Sequence, residues 1–173
     1  FTCSTWLGRF WFSQRRKRTN CFCQEKQVEP KMLEAIAEVN SQQPHAVVEL
    51  TKHLSKNKEV AVLGLAFKSD TDDVRESQSI PLVSLLIKNN FKVFAFDPEA
   101  MDNFKQTVKH TLKQNEVTYC ATSQAAIDSS DCIIIATEWP EFQELKYGNK
   151  SVIDCRNIFS LANRPSNYVG LYW

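Results

Sequence analysis

Apolar and polar positions change along the chain in a way that predicts strands and helices in turn. Short apolar runs such as VAVLGL and DCIIIAT are typical of strands buried on both faces, and the segments between them repeat apolar residues at helical spacing. The pattern predicts strands at residues 59–65, 92–96, 117–120, 131–137, 150–154 and 168–172, and helices at residues 80–88, 99–112, 123–127 and, as a short turn, 141–145. This alternation predicts a Rossmann-like doubly wound parallel sheet of about six strands, an α/β fold.

One long amphipathic helix is predicted ahead of the first strand. Pro30 suits a first helical turn, and apolar residues then recur at helical spacing, with a bend expected before Pro44. Because this segment precedes the sheet, we interpret residues 30–57 as a connecting or dimerisation helix and expect it to stand outside the core. Residues 58–173 are then expected to form the Rossmann-like domain.

Charge and cysteine content narrow the class of protein. The 21 Lys and Arg residues nearly balance the 20 Asp and Glu residues, so no overall positive field attracts nucleic acid or an anionic membrane. The six cysteines form no CxxC pair and have no histidines at zinc-ligand spacing, which favours free thiols, no metal site and a reducing cytoplasm. No segment reaches the ~18 apolar residues of a membrane span. We expect a cytoplasmic protein without nucleic-acid or membrane partners.

The loop after the first strand lacks the glycines of a dinucleotide site. Gly64 stands there without the other two glycines of a G-x-G-x-x-G sequence, which would let the backbone close on a pyrophosphate. Asp97 ends the second strand, where a ribose-binding acid would stand, but we expect it to cap the helix that follows Pro98. The sequence therefore predicts that the usual dinucleotide site is absent.

The same loop concentrates residues that could bind a different ligand. Ligands of open α/β sheets sit outside the carboxyl ends of the strands, so Phe67 and Lys68 are well placed for an anionic or aromatic ligand. Two plainer alternatives remain open. Lys68 could be a surface lysine paired with Asp70 or Asp72, and Phe67 could be a core residue.

Four motifs carry a resemblance to a known family. The segments GLAFKSDTDDVRES, FDPEAM, IIIATEWPEF and VIDCRNIF, in this order, resemble the C-terminal domain of the UDP-glucose dehydrogenase family, the NAD-dependent UDP-glucose/GDP-mannose dehydrogenases. The similarity extends from about Pro30 to Trp173. It implies a Rossmann-like domain that binds the nucleotide half of a UDP-sugar. It also implies a separate N-terminal domain that binds NAD, and a central helix that builds the dimer and ends within residues 30–57.

The resemblance also implies roles for individual residues. Phe67 and Lys68 match the aromatic residue and the lysine that contact the UDP-sugar, and Arg156 matches an arginine that touches the nucleotide-sugar, often across the dimer interface. Arg75 matches the arginine that reaches the NAD pyrophosphate. The fixed fork of donors on a guanidinium suits both arginine roles. The nearby acids are expected to hold the loop and its arginine in place: Asp72, Asp73 and Glu76.

Two positions depart from the family pattern, and neither supplies a catalytic residue. The family usually has proline where Ser69 stands and glycine where Cys155 stands, so the turn before Arg156 is expected to differ slightly. We interpret Cys155 as a tolerated substitution, because the catalytic cysteine of the family belongs to a glycine-rich loop of another domain. No catalytic residue is predicted here, and the resemblance implies an incomplete chain, inactive alone, whose NAD is bound mainly by the absent domain.

Residues 1–29 differ in composition from the rest of the chain. Aromatic residues lead into the run RRKR without helical or strand periodicity. Permitted codons for residues 8–26, read one nucleotide later, can give GGFGSAKDVNALIAFAKKN, which resembles the catalytic-loop region of the family and continues into VEPKMLEAIAEVN. We interpret the segment as an atypical tail, either disordered or frameshifted.

The function implied by the resemblance is that of the nucleotide-sugar-binding part of a UDP-glucose 6-dehydrogenase, which oxidises UDP-glucose to UDP-glucuronate for polysaccharide biosynthesis. Two alternatives stay open: a non-catalytic nucleotide-binding or dimerisation module, and a dehydrogenase for another UDP- or GDP-hexose. The expected partners are a UDP-sugar and either a second copy, joined through residues 30–57, or a complementing chain that carries the NAD domain.

Overall fold

The computed structural model of the protein describes residues 31–109, 111–112 and 116–171. The chain divides into two compact units, residues 1–43 and 44–173. The tail predicted at residues 1–29 lies outside the described residues. The first helix, α1 (Lys31–Leu54), contains Pro44 in its interior. In the first unit, helix α1 leaves Met32, Ile36 and Val39 exposed.

The described part of the second unit is a parallel sheet with helices between its strands. The strands are β1 (Glu59–Leu63), β2 (Lys92–Phe96), β3 (Val117–Tyr119), β4 (Cys132–Ile135), β5 (Ser151–Asp154) and β6 (Asn167–Gly170). The connections contain α2 (Ser79–Lys88), α3 (Met101–Val108), α4 (Ser123–Asp128) and two 3₁₀ turns, Pro140–Gln143 and Leu161–Asn163. The strands lie in the order β3-β2-β1-β4-β5-β6, and every pairing is parallel. The predicted Rossmann-like doubly wound sheet is confirmed.

Both faces of the sheet are packed with apolar side chains. Successive residues of β1 point to opposite faces, so Val60 and Val62 join one core cluster while Ala61 and Leu63 join the other. The four residues of β4 divide between the clusters in the same way. Continuous apolar runs are what a strand covered on both faces requires, which explains why β1 and β4 gave the clearest sequence signals.

The end of helix α1 corrects one expectation. We expected the whole helix to stand outside the core, but Val47 and Val48 are 1% and 2% exposed and belong to the same core cluster as Val60. Periodicity identified the apolar stripe, whereas the surface that it would contact depended on the tertiary fold.

Strand ends also differ from the predicted bounds. Strand β1 ends at Leu63, two residues earlier than predicted, because Gly64 takes a φ of 96° and the chain turns there. Strand β4 ends at Ile135 rather than residue 137, and helix α3 is shorter than predicted at both ends. The early strand ends bring loops, rather than strands, to the carboxyl side of the sheet.

None of the helices in the described ranges combines the length and the hydropathy that a membrane span requires.

Candidate functional site

The carboxyl ends of three neighbouring strands form the edge of the sheet where we look for a site. The register places Leu63 of β1, Ile135 of β4 and Asp154 of β5 side by side. Strand order reverses between β1 and β4, and in open α/β sheets ligands bind outside the carboxyl ends at such a reversal. We call the segments that follow these strands, residues 64–78, 136–139 and 155–160, the carboxyl edge.

Gly64 allows the loops after β1 and β4 to touch. A Cβ atom at this position would lie 2.5 Å from the Cβ of Thr137 and 2.6 Å from its backbone nitrogen, and the backbone has a φ of 96°. The Thr137 hydroxyl then donates a hydrogen bond to the Ala66 carbonyl at 2.8 Å. Only glycine suits both the conformation and the contact, so the two loops are fixed against each other.

One oxygen of Asp97 organises the start of the segment after β2. Asp97 is 1% exposed, and its Oδ1 accepts hydrogen bonds from the backbone N–H groups of Glu99 at 3.0 Å and Ala100 at 2.8 Å. The expectation that Asp97 caps the following helix is therefore wrong: the N-cap residue of α3 is Ala100, without a side-chain cap, and Asp97 instead closes the turn that precedes Met101.

The other oxygen of Asp97 occupies the backbone donors that a dinucleotide would need. Asp97 Oδ2 accepts from the N–H groups of Leu65 at 2.7 Å and Ala66 at 3.0 Å, and from the Trp139 indole at 3.2 Å. In a dinucleotide-binding fold, N–H groups of this first loop face the pyrophosphate. Here they face a buried carboxylate of the protein itself. This arrangement gives a physical reason, beyond the missing glycines, why a pyrophosphate cannot enter the first loop.

Hydrogen bonds within the loop fix its path between β1 and α2. Ser77 and Ser79 donate from their hydroxyls to the carbonyls of Leu65 and Gly64, each at 2.8 Å, and both serines are buried. Farther along, the Phe67 N–H donates to the Asp73 carbonyl at 2.8 Å. The loop is thus folded back on itself and is held by hydrogen bonds within the chain.

Phe67 and Lys68 lie in this loop, as predicted. Phe67 is half-buried and Lys68 is exposed. Within the described residues the Lys68 ammonium group forms no hydrogen bond or ion pair, and Asp72 instead accepts from the Asn103 side chain at 2.9 Å. The alternative in which Lys68 pairs with Asp70 or Asp72 is therefore not what the structure contains.

Arg75 lies farther along the same loop and is held by Asp73. Its side chain is 73% exposed and binds Asp73 in bidentate fashion, through Nε at 3.0 Å and Nη2 at 2.8 Å. The hydrogen bond from Arg75 lowers the pKa of Asp73, and Asp73 raises the pKa of Arg75. Arg75 is thus a solvent-facing cation in a fixed orientation, with the loop acid Asp73 as its partner.

Arg156, in contrast, is buried at the carboxyl edge. Its side chain is 2% exposed, and its Nε donates to a carboxylate oxygen of Glu138, in the loop after β4. Burial lowers the pKa of Arg156, and Glu138 acts in the opposite direction. The structure therefore brings Arg156 together with Glu138, a residue to which the sequence analysis gave no role.

Asp154 shapes the turn that carries Arg156. It is fully buried, and its two oxygens accept from the N–H groups of Arg156 and Ile158, both at 2.8 Å, and from the Tyr168 hydroxyl at 3.2 Å. The left-handed conformation in this turn, with a φ of 55°, belongs to Asn157 and not to Cys155. A side chain at position 155 therefore causes no backbone strain, although the resemblance implied that glycine is usual at this position.

The chemistry of Cys155 does not suit a nucleophile. Its thiol is buried, and burial together with the nearby Asp154 carboxylate raises its pKa to about 12. Because the thiolate is the reactive form, this thiol is inert near neutral pH. Among the described residues, no group of three His, Cys, Asp or Glu side chains is arranged to hold a metal ion.

These features define a class: a doubly wound α/β domain whose carboxyl edge lies at the ends of β1, β4 and β5, and whose first loop directs its N–H groups to Asp97 rather than to a pyrophosphate. Residues 61–161, more than half of the chain, match the profile of the "UDP-glucose/GDP-mannose dehydrogenase family, UDP binding domain". The chain belongs to this family, and the resemblance seen in its four motifs is confirmed.

Individual relatives agree with this assignment. The chain is 35% identical over 162 residues to the UDP-glucose 6-dehydrogenase of Rickettsia conorii, covering 87% of this chain and 36% of the relative. It is 32% identical over 141 residues to UDP-glucose 6-dehydrogenase TuaD of Bacillus subtilis, covering 76% and 30%. The chain thus spans about a third of the length of the curated relatives that it matches.

Solved structures show the same fold. The UDP-glucose dehydrogenase from Pyrobaculum islandicum superposes with a TM-score of 0.78 at 33% identity, covering 88% of this chain and 34% of that one. The GDP-mannose dehydrogenase of Pseudomonas aeruginosa superposes with a TM-score of 0.80 at 21% identity, covering 93% and 38%, and it shares the fold.

Proposed function

We propose that this chain binds the nucleotide part of a UDP-sugar, as the C-terminal part of an NAD-dependent UDP-glucose 6-dehydrogenase that converts UDP-glucose to UDP-glucuronate. This chain belongs to the family, and the observation that carries the proposal is the position of Lys68 in the loop after β1. There Lys68 is exposed and forms no ion pair among the described residues. The names of the relatives support UDP-glucose as the substrate.

Each proposed ligand contact follows from the chemistry of its side chain. Lys68 supplies a compact positive charge for a diphosphate, and Phe67, half-buried beside it, supplies an apolar face for the ligand. Arg156 contributes a guanidinium whose orientation is set by Glu138. The diphosphate approaches from outside the first loop, because Asp97 already holds the inner N–H groups.

Arg75 is proposed to contact the NAD pyrophosphate. The Arg75 guanidinium is 73% exposed, and its bidentate contact with Asp73 fixes its orientation. It is therefore suited to bind an anionic group that another part of the enzyme holds. NAD bound there would supply the hydride acceptor for oxidation of the sugar alcohol. The residues of this chain bind and orient, and no catalytic residue is assigned to them.

Titration with UDP tests the proposal directly. Isothermal calorimetry on the purified chain is expected to show one site, and Lys68→Ala is expected to weaken it about tenfold or more, as for loss of a charge-assisted hydrogen bond. Lys88→Ala, which removes an exposed lysine from the end of α2, is the matched control and should leave binding unchanged. The site would be refuted if the unmodified chain did not bind UDP, or if Lys68→Ala and Lys88→Ala bound UDP equally well.

The same experiment separates the candidate sugar nucleotides. We expect UDP and UDP-glucose to bind more tightly than GDP and GDP-mannose, because the relatives with the higher identity are named for UDP-glucose. Tighter binding of GDP-mannose would instead support the dehydrogenase of a GDP-hexose.

We also propose that residues 30–57 join two copies of the chain, in a cytoplasmic protein. The apolar side chains that helix α1 exposes in the first unit support an association through this helix. The described cysteines, Cys120, Cys132 and Cys155, are free thiols, in keeping with a reducing compartment.

A further inference from the structure

Glu138 occupies a central position at the carboxyl edge. It follows β4, the strand that lies between β1 and β5, so it stands between the loop of Lys68 and the turn of Arg156. Its side chain is 25% exposed and accepts a hydrogen bond from Arg156 Nε. A carboxylate in this position can set the orientation of the guanidinium without itself being the ligand contact.

The residues on either side of Glu138 are anchored. Thr137 is bonded to the Ala66 carbonyl at 2.8 Å, and the indole of Trp139 is bonded to Asp97 at 3.2 Å. Both neighbours are buried. The carboxylate of Glu138 therefore starts from a backbone with little freedom to move, which is what a positioning group needs.

The burial of Arg156 requires such a partner. A guanidinium that is 2% exposed has lost most of its hydration, and a buried charge is stable only when it is paired. Two acids face it. Asp154 directs its oxygens to two backbone N–H groups and to Tyr168, whereas Glu138 pairs with the guanidinium itself.

We propose that Glu138 is a positioning residue for the nucleotide-sugar site, which holds the Arg156 guanidinium in the orientation that the ligand needs. The inference rests on the proposed function, because it assumes that Arg156 contacts the nucleotide-sugar. Glu138 acts through Arg156 rather than by touching the ligand.

The first test is the variant Glu138→Gln in the otherwise unchanged chain. Glutamine keeps the size and one acceptor oxygen but removes the charge, so we expect the chain to fold and its dissociation constant for UDP to rise about tenfold. The matched control is Glu144→Gln, which neutralises an exposed acid directly after the 3₁₀ turn Pro140–Gln143. This variant should bind UDP as the unmodified chain does.

A double-mutant cycle distinguishes positioning from a general structural effect. If Glu138 acts through Arg156, then Glu138→Gln weakens UDP binding in the unmodified chain but has no further effect in a chain that carries Arg156→Lys. An equal loss in both backgrounds would overturn the inference. Tighter UDP binding by Glu138→Gln would also overturn it, since Glu138 would then compete with the ligand for Arg156.

A measurement without ligand examines the pair itself. The Arg156 Nε–H proton is expected to give a slowly exchanging NMR signal that shifts or disappears in Glu138→Gln and persists in Glu144→Gln. A fast-exchanging signal in the unmodified chain would refute the pairing. If the unmodified chain fails to bind UDP, the proposed function fails and the inference falls with it. If it binds UDP and Glu138→Gln binds equally well, only the inference falls.

Discussion

At the scale of one residue, Gly64 allows the loops after β1 and β4 to touch at the carboxyl edge. Its φ of 96° and the Thr137 atoms within 2.7 Å of a hypothetical Cβ leave no room for a side chain. We expect Gly64→Ala to lower the free energy of unfolding by about 3 kcal/mol, because backbone strain adds to a clash with rigid backbone.

Gly148→Ala is the matched control for that substitution. Gly148 also has a positive φ, of 58°, but nothing lies within 4 Å of a Cβ placed there. Only the conformational cost remains, about 1–2 kcal/mol. Chemical denaturation of both variants measures the difference, and equal losses would show that the contact with Thr137 is unimportant.

Cys155 gives a prediction about alkaline stability. Its pKa is raised from the ordinary value of 9.0 to about 12 in the folded protein. Between these two pKa values the unfolded chain has lost a proton that the folded chain keeps, so the free energy of unfolding decreases as pH rises. We expect Cys155→Ala to reduce this decrease by up to about 1.4 kcal/mol per pH unit above pH 9.

Denaturation series at several alkaline pH values measure the effect. Other groups that titrate there are common to both proteins and cancel in the comparison. Cys120→Ala serves as the control, because Cys120 is only partly buried and should change the slope less. Parallel stability curves for the unmodified protein and Cys155→Ala would contradict the prediction.

Single-residue roles could be predicted only where the signal was local. Gly64 was identifiable because it ends an apolar run, and the exposed loop position of Lys68 because it follows that strand, whereas its contact with a ligand stays a prediction. The role of Glu138 was missed because its partner Arg156 is 18 residues away, and the Asp97–Trp139 bond spans 42 residues. Nothing in a single sequence indicates which distant donors a buried carboxylate will meet.

At the scale of elements, periodicity predicted which strands and helices form better than it predicted where they begin and end. Strand β2 was predicted with its observed bounds, whereas β1 and β4 end two residues early because their last apolar residues belong to the packed loops. Helix α3 begins later than predicted because Asp97 first closes a turn ahead of it. Apolar residues at a strand end look alike whether the backbone continues or turns.

The exposed stripe of helix α1 gives a prediction at the same scale. Met32 and Val39 are 77% and 54% exposed, and they lie on the same side of the helix as Ile36. If two copies associate through this stripe, Val39→Glu should shift the chain from dimer to monomer in sedimentation velocity. Ser41→Glu adds the same charge on the opposite side and should leave the association unchanged. A monomeric unmodified chain would contradict this prediction.

At the scale of the whole molecule, the prediction that this chain is inactive alone can be tested, and the described thiols set the expectation. Burial raises the pKa of Cys120, and it raises that of Cys132 and Cys155 to about 12, so none of these thiols is activated. We expect the purified chain, mixed with UDP-glucose and NAD, to form no NADH by absorbance at 340 nm. NADH formation above the rate of a heat-denatured sample would contradict this.

The fold of the whole molecule was predicted from the alternation of strands and helices, and its family from four short motifs. The end of helix α1 was not, because an amphipathic stripe does not reveal whether it faces its own sheet, another domain or a second copy. The distinction depends on tertiary contacts that only the folded structure contains.

The carboxylate of Asp97 has one more consequence for the molecule. A loop that cradles phosphate exposes uncompensated N–H dipoles when its ligand leaves, and such loops commonly become ordered only when filled. In this chain the N–H groups of Leu65 and Ala66, in the loop after β1, donate instead to the carboxylate of Asp97, which follows β2 and also accepts from the Trp139 indole. These N–H groups therefore have a hydrogen-bond acceptor within the chain itself, without a bound phosphate.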